Sequence, residues 1–303
     1  MEEKKIQGFE QAARVLPLRL RQEAMALPTE QRTRVEELRL RWGRPMTAVL
    51  PEGERPLGGE PVMGQELEQL LELASRASFH TVADQLRRGY LTIEGGHRVG
   101  LCGTAVVRDG ELRGLRRLSS AAVRVARQAV GAARPVSDRL VRREGTLYST
   151  LILAPPGAGK TTLLRDLIRA ASDGDGMAPQ RVGVADERGE VAALWNGRPQ
   201  LEVGGRTDVL EGCPKALALM LLLRSMNPQV LAADEITDPE DVRAMVSAAG
   251  CGAALLATAH GWDRRDLEER PLYRELMAAG GFRRLVLIRR EGDRRRYEVE
   301  ELL

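Results

Sequence analysis

The 303-residue chain is poor in aromatic residues and cysteine, and it has no long apolar run. Because aromatics make up only 3% of the chain, most of the core volume must come from Leu, Val, Ala and Ile. Cys102, Cys213 and Cys251 are widely spaced and form no CxxC pair, so the sequence indicates neither a zinc site nor a disulfide framework. We expect reduced thiols in a cytosolic protein, since disulfides follow the redox compartment.

A membrane-spanning segment and an excess of one charge are also missing. The longest apolar stretch, Ala216–Leu223, is far shorter than the ~20 residues that a transmembrane helix needs. The N-terminal segment lacks the apolar core of a signal peptide. The 46 basic and 43 acidic residues leave a net charge of +3, which does not indicate a nucleic-acid-binding protein. We therefore expect no transmembrane segment and, at most, a peripheral association with membranes.

Residues 1–127 mix helical and strand signals and predict a small α+β domain. The leucine spacing over Gln65–Ser75 predicts a helix, and the Asp109–Gly110 pair between apolar runs predicts a β-hairpin. A capped helix over Glu30–Arg41 is predicted to run into a strand-like segment, and the stretch Pro51–Gly64, rich in Gly and Pro, is predicted as a loop.

Residues 128–303 alternate short apolar strands with helices, which is typical of a mostly parallel sheet covered on both faces. The predicted strands are Leu151–Ala154, Arg181–Ala185, Val230–Ala233, Ala253–Thr258 and Arg284–Arg289. The predicted helices are Thr161–Ala171, Pro214–Ser225 and Asp238–Ala249. We also expect a bridging helix over Ala129–Arg143, interrupted at Pro135, and a terminal edge hairpin around Glu291–Asp293.

The strongest functional signal is LILAPPGAGKTTLLRDLI, where a buried strand ends at Ala154 and a glycine-rich turn opens a helix. Glycines let backbone amides curl around a polyanion, and the helix N-terminus adds partial positive charge. Lys160 can reach the β- and γ-phosphates of ATP, and the Thr161 hydroxyl can bind Mg²⁺. Ala154 stands where the GxxxxGK[ST] pattern has its first glycine. The predicted nucleotide-binding residues are Pro155, Pro156, Gly157, Ala158, Gly159, Lys160, Thr161 and Thr162.

The second signal is VLAADEI, a buried strand that delivers Asp234 and Glu235 to its C-terminal end. Ligands of open α/β sheets bind at that edge. We predict that Asp234 holds Mg²⁺, together with Thr161, and that Glu235 polarises the attacking water.

Two more strands are followed by polar residues that fit the same edge. Asp186, Glu187 and Arg188 follow one strand, and Thr258 and His260 end another. We predict catalytic roles for Glu187 and His260, the latter as a sensor of the γ-phosphate. The alternatives are that Asp186–Glu187 caps a helix and that His260 is a structural histidine.

These signals, with several further segments, resemble the stage III sporulation protein AA family, whose relatives are the type II and type IV secretion ATPases. The resemblance covers nearly the whole chain. It is carried by EELRLRWGRP (36–45), GYLTIEGGHRVGLCG (89–103), PPGAGKTTLLRDLIR (155–169), VADERGEVAA (184–193), GGRTDVLEGCPKALALMLLLRSMNPQVLAADEI (204–236) and LLATAHG (255–261).

The resemblance implies a RecA-like, secretion-ATPase-like P-loop core behind a small N-terminal domain. It further implies a cytoplasmic ATPase that uses ATP and Mg²⁺ and forms a ring, expected to be a homo-hexamer. Such a ring would serve membrane-embedded components of a secretion-like complex between mother cell and forespore. The chain departs from the pattern at Thr237, where we expect Gly, and at Gln229, where Asp is frequent.

Rings of this class complete their sites with an arginine from the next subunit, which stabilises charge on the γ-phosphate. The resemblance does not say which arginine this is. The candidates are Arg98, Arg124, Arg127 and Arg206, with Arg124 preferred.

Two other functions remain open from the sequence. A nucleic-acid-stimulated ATPase is disfavoured because the single-strand-binding C-terminal domain of plastid and bacterial relatives is expected to be absent after the terminal hairpin. A nucleotide-dependent scaffold without significant turnover is disfavoured because both candidate carboxylate pairs are present.

Overall fold

A computed structural model describes residues 2–75, 89–291 and 294–302. The chain forms two compact units. One consists of Met1–Arg127 with Ala193–Gln200, and the other of Gln128–Ala192 with Leu201–Leu303. None of the helices in the described ranges combines the length and apolarity that crossing a bilayer requires.

The first unit is an α+β structure around one six-stranded antiparallel sheet, with strand order β3-β2-β1-β6-β5-β4. Its helices are α1 (Glu2–Ala13), α2 (Leu18–Met25), α3 (Thr29–Arg32) and α4 (Gly64–Ala74). Its strands are β1 (Glu37–Arg41), β2 (Pro45–Leu50), β3 (Gly53–Pro61), β4 (Tyr90–Thr92), β5 (Arg98–Arg108) and β6 (Glu111–Arg124). Alternate residues of β1 and β2 are buried, as expected for strands with one face on a core.

Two predictions for this unit are confirmed and two are wrong. Helix α4 and the β5–β6 hairpin, which turns at Asp109–Gly110, are present. The helix predicted over Glu30–Arg41 ends at Arg32, because Leu38 and Leu40 follow the period of two of a strand. The predicted loop Pro51–Gly64 contains β3, which tolerates proline because it lies at the sheet edge.

The second unit is built on a seven-stranded sheet with order β11-β8-β12-β13-β7-β14-β15, parallel except for its last strand. Its strands are β7 (Thr150–Ala154), β8 (Val182–Asp186), β11 (Thr207–Glu211), β12 (Val230–Ala233), β13 (Ala254–His260), β14 (Arg284–Glu291) and β15 (Arg294–Glu301). Its helices are α5 (Ser137–Leu140), α6 (Lys160–Asp173), α7 (Lys215–Met226), α8 (Pro239–Gly250), α9 (Arg264–Glu269) and α10 (Pro271–Ala278). A short ribbon of β9 (Leu194–Trp195) and β10 (Arg198–Pro199) interrupts this unit in sequence and belongs to the first.

All five predicted strands and all three predicted helices of this unit are present, and the terminal edge hairpin is confirmed. Its predicted turn includes residues 292–293, which lie outside the described residues. The bridging helix predicted over Ala129–Arg143 is wrong, since only the four residues of α5 are helical there. Strand β11 was not predicted because Thr207–Glu211 has only two apolar residues and sits half-buried at the edge.

The order of the parallel strands determines where polar side chains meet. Strands β7, β8 and β12 are buried along their whole length, so both sheet faces are covered. Since β8, β12, β13 and β7 are consecutive neighbours and parallel, their carboxyl ends lie side by side at one edge. That edge is where an open α/β sheet binds its ligands.

Candidate active site

The loop between β7 and α6 forms a cradle of backbone amides. Gly157 and Gly159 have φ angles of 73° and 103°, which favour glycine. Gly159 is also the N-cap of α6, so the glycine-rich loop leads directly into a helix N-terminus. A Cβ on Gly157 would meet nothing within 4 Å. The loop therefore has the geometry and the donor set that a polyphosphate requires.

Arg295 holds this loop from the terminal hairpin. Its Nε donates to the carbonyl oxygen of Ala158 at 2.9 Å. A Cβ on Gly159 would lie 2.7 Å from that same nitrogen, so the loop and β15 are closely packed. No sequence pattern indicates this contact, because it arises from the position of the terminal hairpin next to β7 in the sheet.

Lys160 is 5% exposed and bonds with His260. Its Nζ lies 3.3 Å from the Pro155 carbonyl oxygen and 3.1 Å from His260 Nδ1. Burial lowers the pKa of Lys160, while Glu235 and Asp234 oppose this effect. Because an ammonium group only donates, His260 must accept at Nδ1 and carry its proton at Nε2.

Asp234 accepts hydrogen bonds from two threonine hydroxyls. Thr161 Oγ1 donates to Oδ2 at 2.6 Å, and Thr258 Oγ1 donates to Oδ1 at 2.6 Å. Burial raises the pKa of Asp234, although both hydroxyls oppose this effect. The predicted metal ligands Thr161 and Asp234 are thus brought together.

The donor set fits magnesium. Throughout the described ranges, no group of three or more His, Cys, Asp or Glu side chains is arranged to hold a metal ion. Mg²⁺ does not need such a group, since it is commonly bound by one or two protein oxygens, substrate phosphates and water. Thr161 and Asp234 would supply the two protein oxygens of such a site.

Glu235 has a strained backbone and a carboxylate with partners on both oxygens. Its φ of 47° lies in the left-handed region, which costs energy for a residue other than glycine. Its amide donates to Thr258 Oγ1 at 2.8 Å. His260 Nε2 lies 2.9 Å from Oε1, and Arg188 Nη1 donates to Oε2 at 3.0 Å. The side chains predicted from three strands therefore meet at this carboxylate.

Asp186 lies at the same edge but bonds to a loop. It is 1% exposed, and its carboxylate accepts the backbone N–H groups of Glu190, Val191 and Ala192 at 2.8–3.2 Å. Burial raises the pKa of Asp186, and these amides oppose the effect. The alternative prediction, that Asp186–Glu187 caps a helix, does not hold, since a loop follows β8.

Glu187 faces a small cleft beside Glu235. Its Oε2 lies 3.0 Å from Nζ of Lys215, which is itself 3.5 Å from Asp241 Oδ2. The cleft is lined by Asp186, Glu187, Arg188, Glu190, Lys215, Asp234 and Glu235.

The four candidate arginines have other contacts, and none of them is among the residues that line this cleft. In the first unit, Arg124 Nε lies 2.7 Å from Glu37 Oε1, Arg127 donates to the Val35 carbonyl, and Arg98 stacks 3.8 Å from the centre of the Tyr90 ring. In the second unit, Arg206 donates to the Ser172 carbonyl at 3.0 Å. A role for Arg124 toward a neighbouring subunit stays a prediction.

Comparisons with known proteins match nearly the whole chain. The family model described as "Sporulation stage III, protein AA" matches residues 5–299. Stage III sporulation protein AA of Bacillus subtilis is 38% identical over 285 residues, which cover 92% of this chain and 90% of that protein.

Two solved structures share the fold. The pilus retraction motor PilT with bound ADP matches with a TM-score of 0.61 at 16% identity, over 88% of this chain and 79% of its own. The Legionella pneumophila ATPase DotB matches with a TM-score of 0.56 at 15% identity, over 88% and 76%. These likenesses confirm the predicted secretion-ATPase-like α/β fold.

Proposed function

The chain belongs to the sporulation stage III protein AA family, and we propose that it is a P-loop ATPase that energises a secretion-like membrane complex. The observation that carries this proposal is the hydrogen bond of 2.6 Å between Thr161 and Asp234. It joins the start of the helix behind the glycine loop to the end of β12, two strands away from β7 in the sheet, where Lys160 and Glu235 also lie.

Each side chain then has a defined role toward ATP. In the loop of residues 155–162, the backbone N–H groups of residues 157–162 and the Lys160 ammonium bind the phosphates, since the two prolines have no N–H to donate. Thr161 and Asp234 hold Mg²⁺, which neutralises charge on the phosphate oxygens when bound. Thr258 orients both acids, since it donates to Asp234 and accepts from the Glu235 amide.

The reaction is hydrolysis of the γ-phosphate. Glu235 orients a water whose oxygen forms a bond to the γ-phosphorus, while the bond from phosphorus to the β–γ bridging oxygen breaks. ADP leaves with the electron pair of that bond, and the proton of the water passes to the Glu235 carboxylate. His260 is the sensor of the γ-phosphate. Its Nδ1 contacts the Lys160 ammonium in this structure, and Lys160 has to leave His260 in order to bind the phosphates. Glu187 is the alternative base.

The proposed assembly is based on the family resemblance. We propose a cytoplasmic homo-hexamer with an N-terminal domain of residues 1–127 and an ATPase domain of residues 128–303. Arg124 would reach the site of a neighbouring subunit. The ring would attach to membrane-embedded partners between mother cell and forespore, without binding nucleic acid.

The catalytic proposal is tested with two variants of the full chain. Lys160→Ala should abolish binding of a fluorescent ATP analogue. Glu235→Gln should bind the analogue normally and release phosphate about 10²-fold more slowly. Glu268→Gln, an exposed change on α9, is the matched control and should behave like the unmodified chain. Equal phosphate release by the Lys160→Ala variant and the unmodified chain would contradict the proposal.

The ring is tested separately by light scattering. A shift from a smaller species to a hexamer on addition of a non-hydrolysable ATP analogue is the expected result. A monomer that persists with bound analogue would contradict the ring and leave the nucleotide site standing.

A further inference from the structure

Arg188 is placed at the proposed catalytic carboxylate by the chain's own fold. It follows Asp186 and Glu187 directly after β8, and its Nη1 lies 3.0 Å from Oε2 of Glu235. Its side chain is 60% exposed. The residues that precede and follow it are held, since Asp186 accepts three backbone amides of the loop that continues from Arg188. The backbone is thus fixed while the guanidinium extends into the cleft.

The contact matters because both oxygens of Glu235 already have a partner. His260 occupies Oε1 and Arg188 occupies Oε2. A carboxylate that orients a water must accept a hydrogen bond from that water. Each oxygen keeps a second lone pair for it, but at Oε2 the water shares the charge of the carboxylate with the guanidinium, so release of Arg188 strengthens the hydrogen bond of the water. The amide of Glu235 is held by Thr258, so this release comes from the partner side chain and not from the backbone of Glu235. Arg188 is the more exposed partner, at 60% against 32% for the His260 side chain.

The charge balance of the cleft indicates where the guanidinium goes. Five of the seven lining residues are acidic, and the other two are Arg188 and Lys215. Lys215 is buried between Glu187 and Asp241. Besides Lys160 and Mg²⁺, a phosphate that enters next to these acids gains from a further cation, because the acids repel it. Arginine suits this role because it stays charged and its planar fork matches phosphate oxygens.

We infer that Arg188 binds the γ-phosphate of ATP within its own subunit and releases Oε2 of Glu235 as it does so. This inference rests on the proposed ATPase function and goes beyond it, because it assigns a γ-phosphate-binding arginine in the same chain. ADP has no γ-phosphate, so Arg188 stays on Glu235 in the ADP state. The residue therefore links recognition of the third phosphate to release of the carboxylate that orients water.

The experiment compares Arg188→Gln and Arg188→Lys with the control Arg243→Gln, an exposed arginine of α8. Calorimetry measures the affinity of each full-length variant for ADP and for a non-hydrolysable ATP analogue, both with Mg²⁺. Arg188→Gln should lower affinity for the analogue about tenfold, since one charged hydrogen-bond partner is lost, and leave ADP affinity within about twofold. Phosphate release should fall about 10²-fold or more. Arg188→Lys should recover part of both losses, and Arg243→Gln should change neither.

An unchanged ratio of analogue to ADP affinity in Arg188→Gln would overturn the inference. So would faster phosphate release, which would make Arg188 a restraint on Glu235 and nothing more. Thermal unfolding checks that the variant is folded, which is expected for so exposed a side chain. If the unmodified chain binds no nucleotide, the ATPase proposal fails together with this one. If binding is intact and the ratio does not move, the arginine proposal fails alone.

Discussion

The ends of β8 and β12 look alike in sequence and differ in chemistry. Each apolar strand leads into two acids, and all four line the cleft, although Asp186 is buried and Asp234 is only half-buried. Asp234 accepts two side-chain hydroxyls, whereas Asp186 accepts three backbone amides. Hydroxyls can exchange one partner for another or bind a metal, but the amides fix the course of a loop. One acid is therefore available to a ligand, and the other is committed to structure.

The second acids differ in the same way. Glu235 contacts His260 and Arg188, both of which are candidates to contact nucleotide. Glu187 pairs with Lys215, which also contacts Asp241 in the N-terminal capping box of α8. Lys215 thus connects the loop after β8 with the helix after β12. The β8 end supports the β12 end, where we place the chemistry.

The largest expected effect tests the end of β12, where we place the chemistry. Asp234→Asn should reduce Mg²⁺-dependent phosphate release about 10³-fold, since it removes a metal ligand. Its stability should hold or rise. Burial raises the pKa of Asp234 in the folded chain. At any pH above the pKa of this group in the unfolded chain, the ionised carboxylate therefore destabilises the folded state. A neutral amide removes this cost.

Urea unfolding and a phosphate-release assay measure both effects, with exposed Asp138→Asn as the control. Full turnover in Asp234→Asn would remove the metal-binding role from this residue.

The second largest effect is expected at the end of β8, where Asp186 holds the following loop. Asp186→Ala leaves the half-buried amide of Glu190 and the buried amides of Val191 and Ala192 without an acceptor. At roughly 1 kcal/mol or more for each, we expect a loss of about 3 kcal/mol in the free energy of unfolding. Asp186→Asn should lose less, because it keeps one acceptor oxygen. If the variant were as stable as the unmodified chain but had no turnover, Asp186 would have a catalytic role and not a structural one.

The sequence indicated that both acid pairs lie at one sheet edge, but it could not separate their roles. Strand ends follow from apolar periodicity and parallel order, and that reasoning located Lys160, Asp234 and His260 correctly at one edge. The amides that bind Asp186 come from a loop with no periodicity, so no sequence pattern predicts them. The left-handed backbone of Glu235 cannot be predicted from the sequence either, since it is imposed by contacts such as that with Thr258.

The first unit was harder to predict for a related reason. The segment ELRLR of β1 follows directly on helix-forming residues, and only the burial of Leu38 and Leu40 on a sheet decides its structure. The partners of arginines were hidden too. In a chain with 46 basic residues, neither Arg188 nor Arg295 differs from its neighbours until tertiary contacts bring Glu235 and Ala158 to them.

The third effect tests the connection between the two strand ends. Lys215→Met removes the cation from between Glu187 and Asp241 and should lower the free energy of unfolding by about 2 kcal/mol, because the buried Asp241 loses its charged partner. Hydrogen exchange should increase in two places, the loop after β8 and the first turn of α8. Faster exchange in only one of them would show that Lys215 does not join the two ends.

The smallest effect is expected for Glu187→Gln, and it is the sharpest test of which acid activates water. The Glu187 side chain is 39% exposed, so its ion pair with Lys215 is screened by solvent and contributes about 1 kcal/mol or less. The substituted amide keeps an oxygen for the lysine. Stability should change within that limit, and phosphate release should stay within about threefold of the unmodified chain. A loss as large as that of Glu235→Gln would instead assign the base to the β8 end. Asp186 would still accept loop amides and Asp234 would still accept threonine hydroxyls. The catalytic carboxylate would then follow β8, next to the acid that holds the loop.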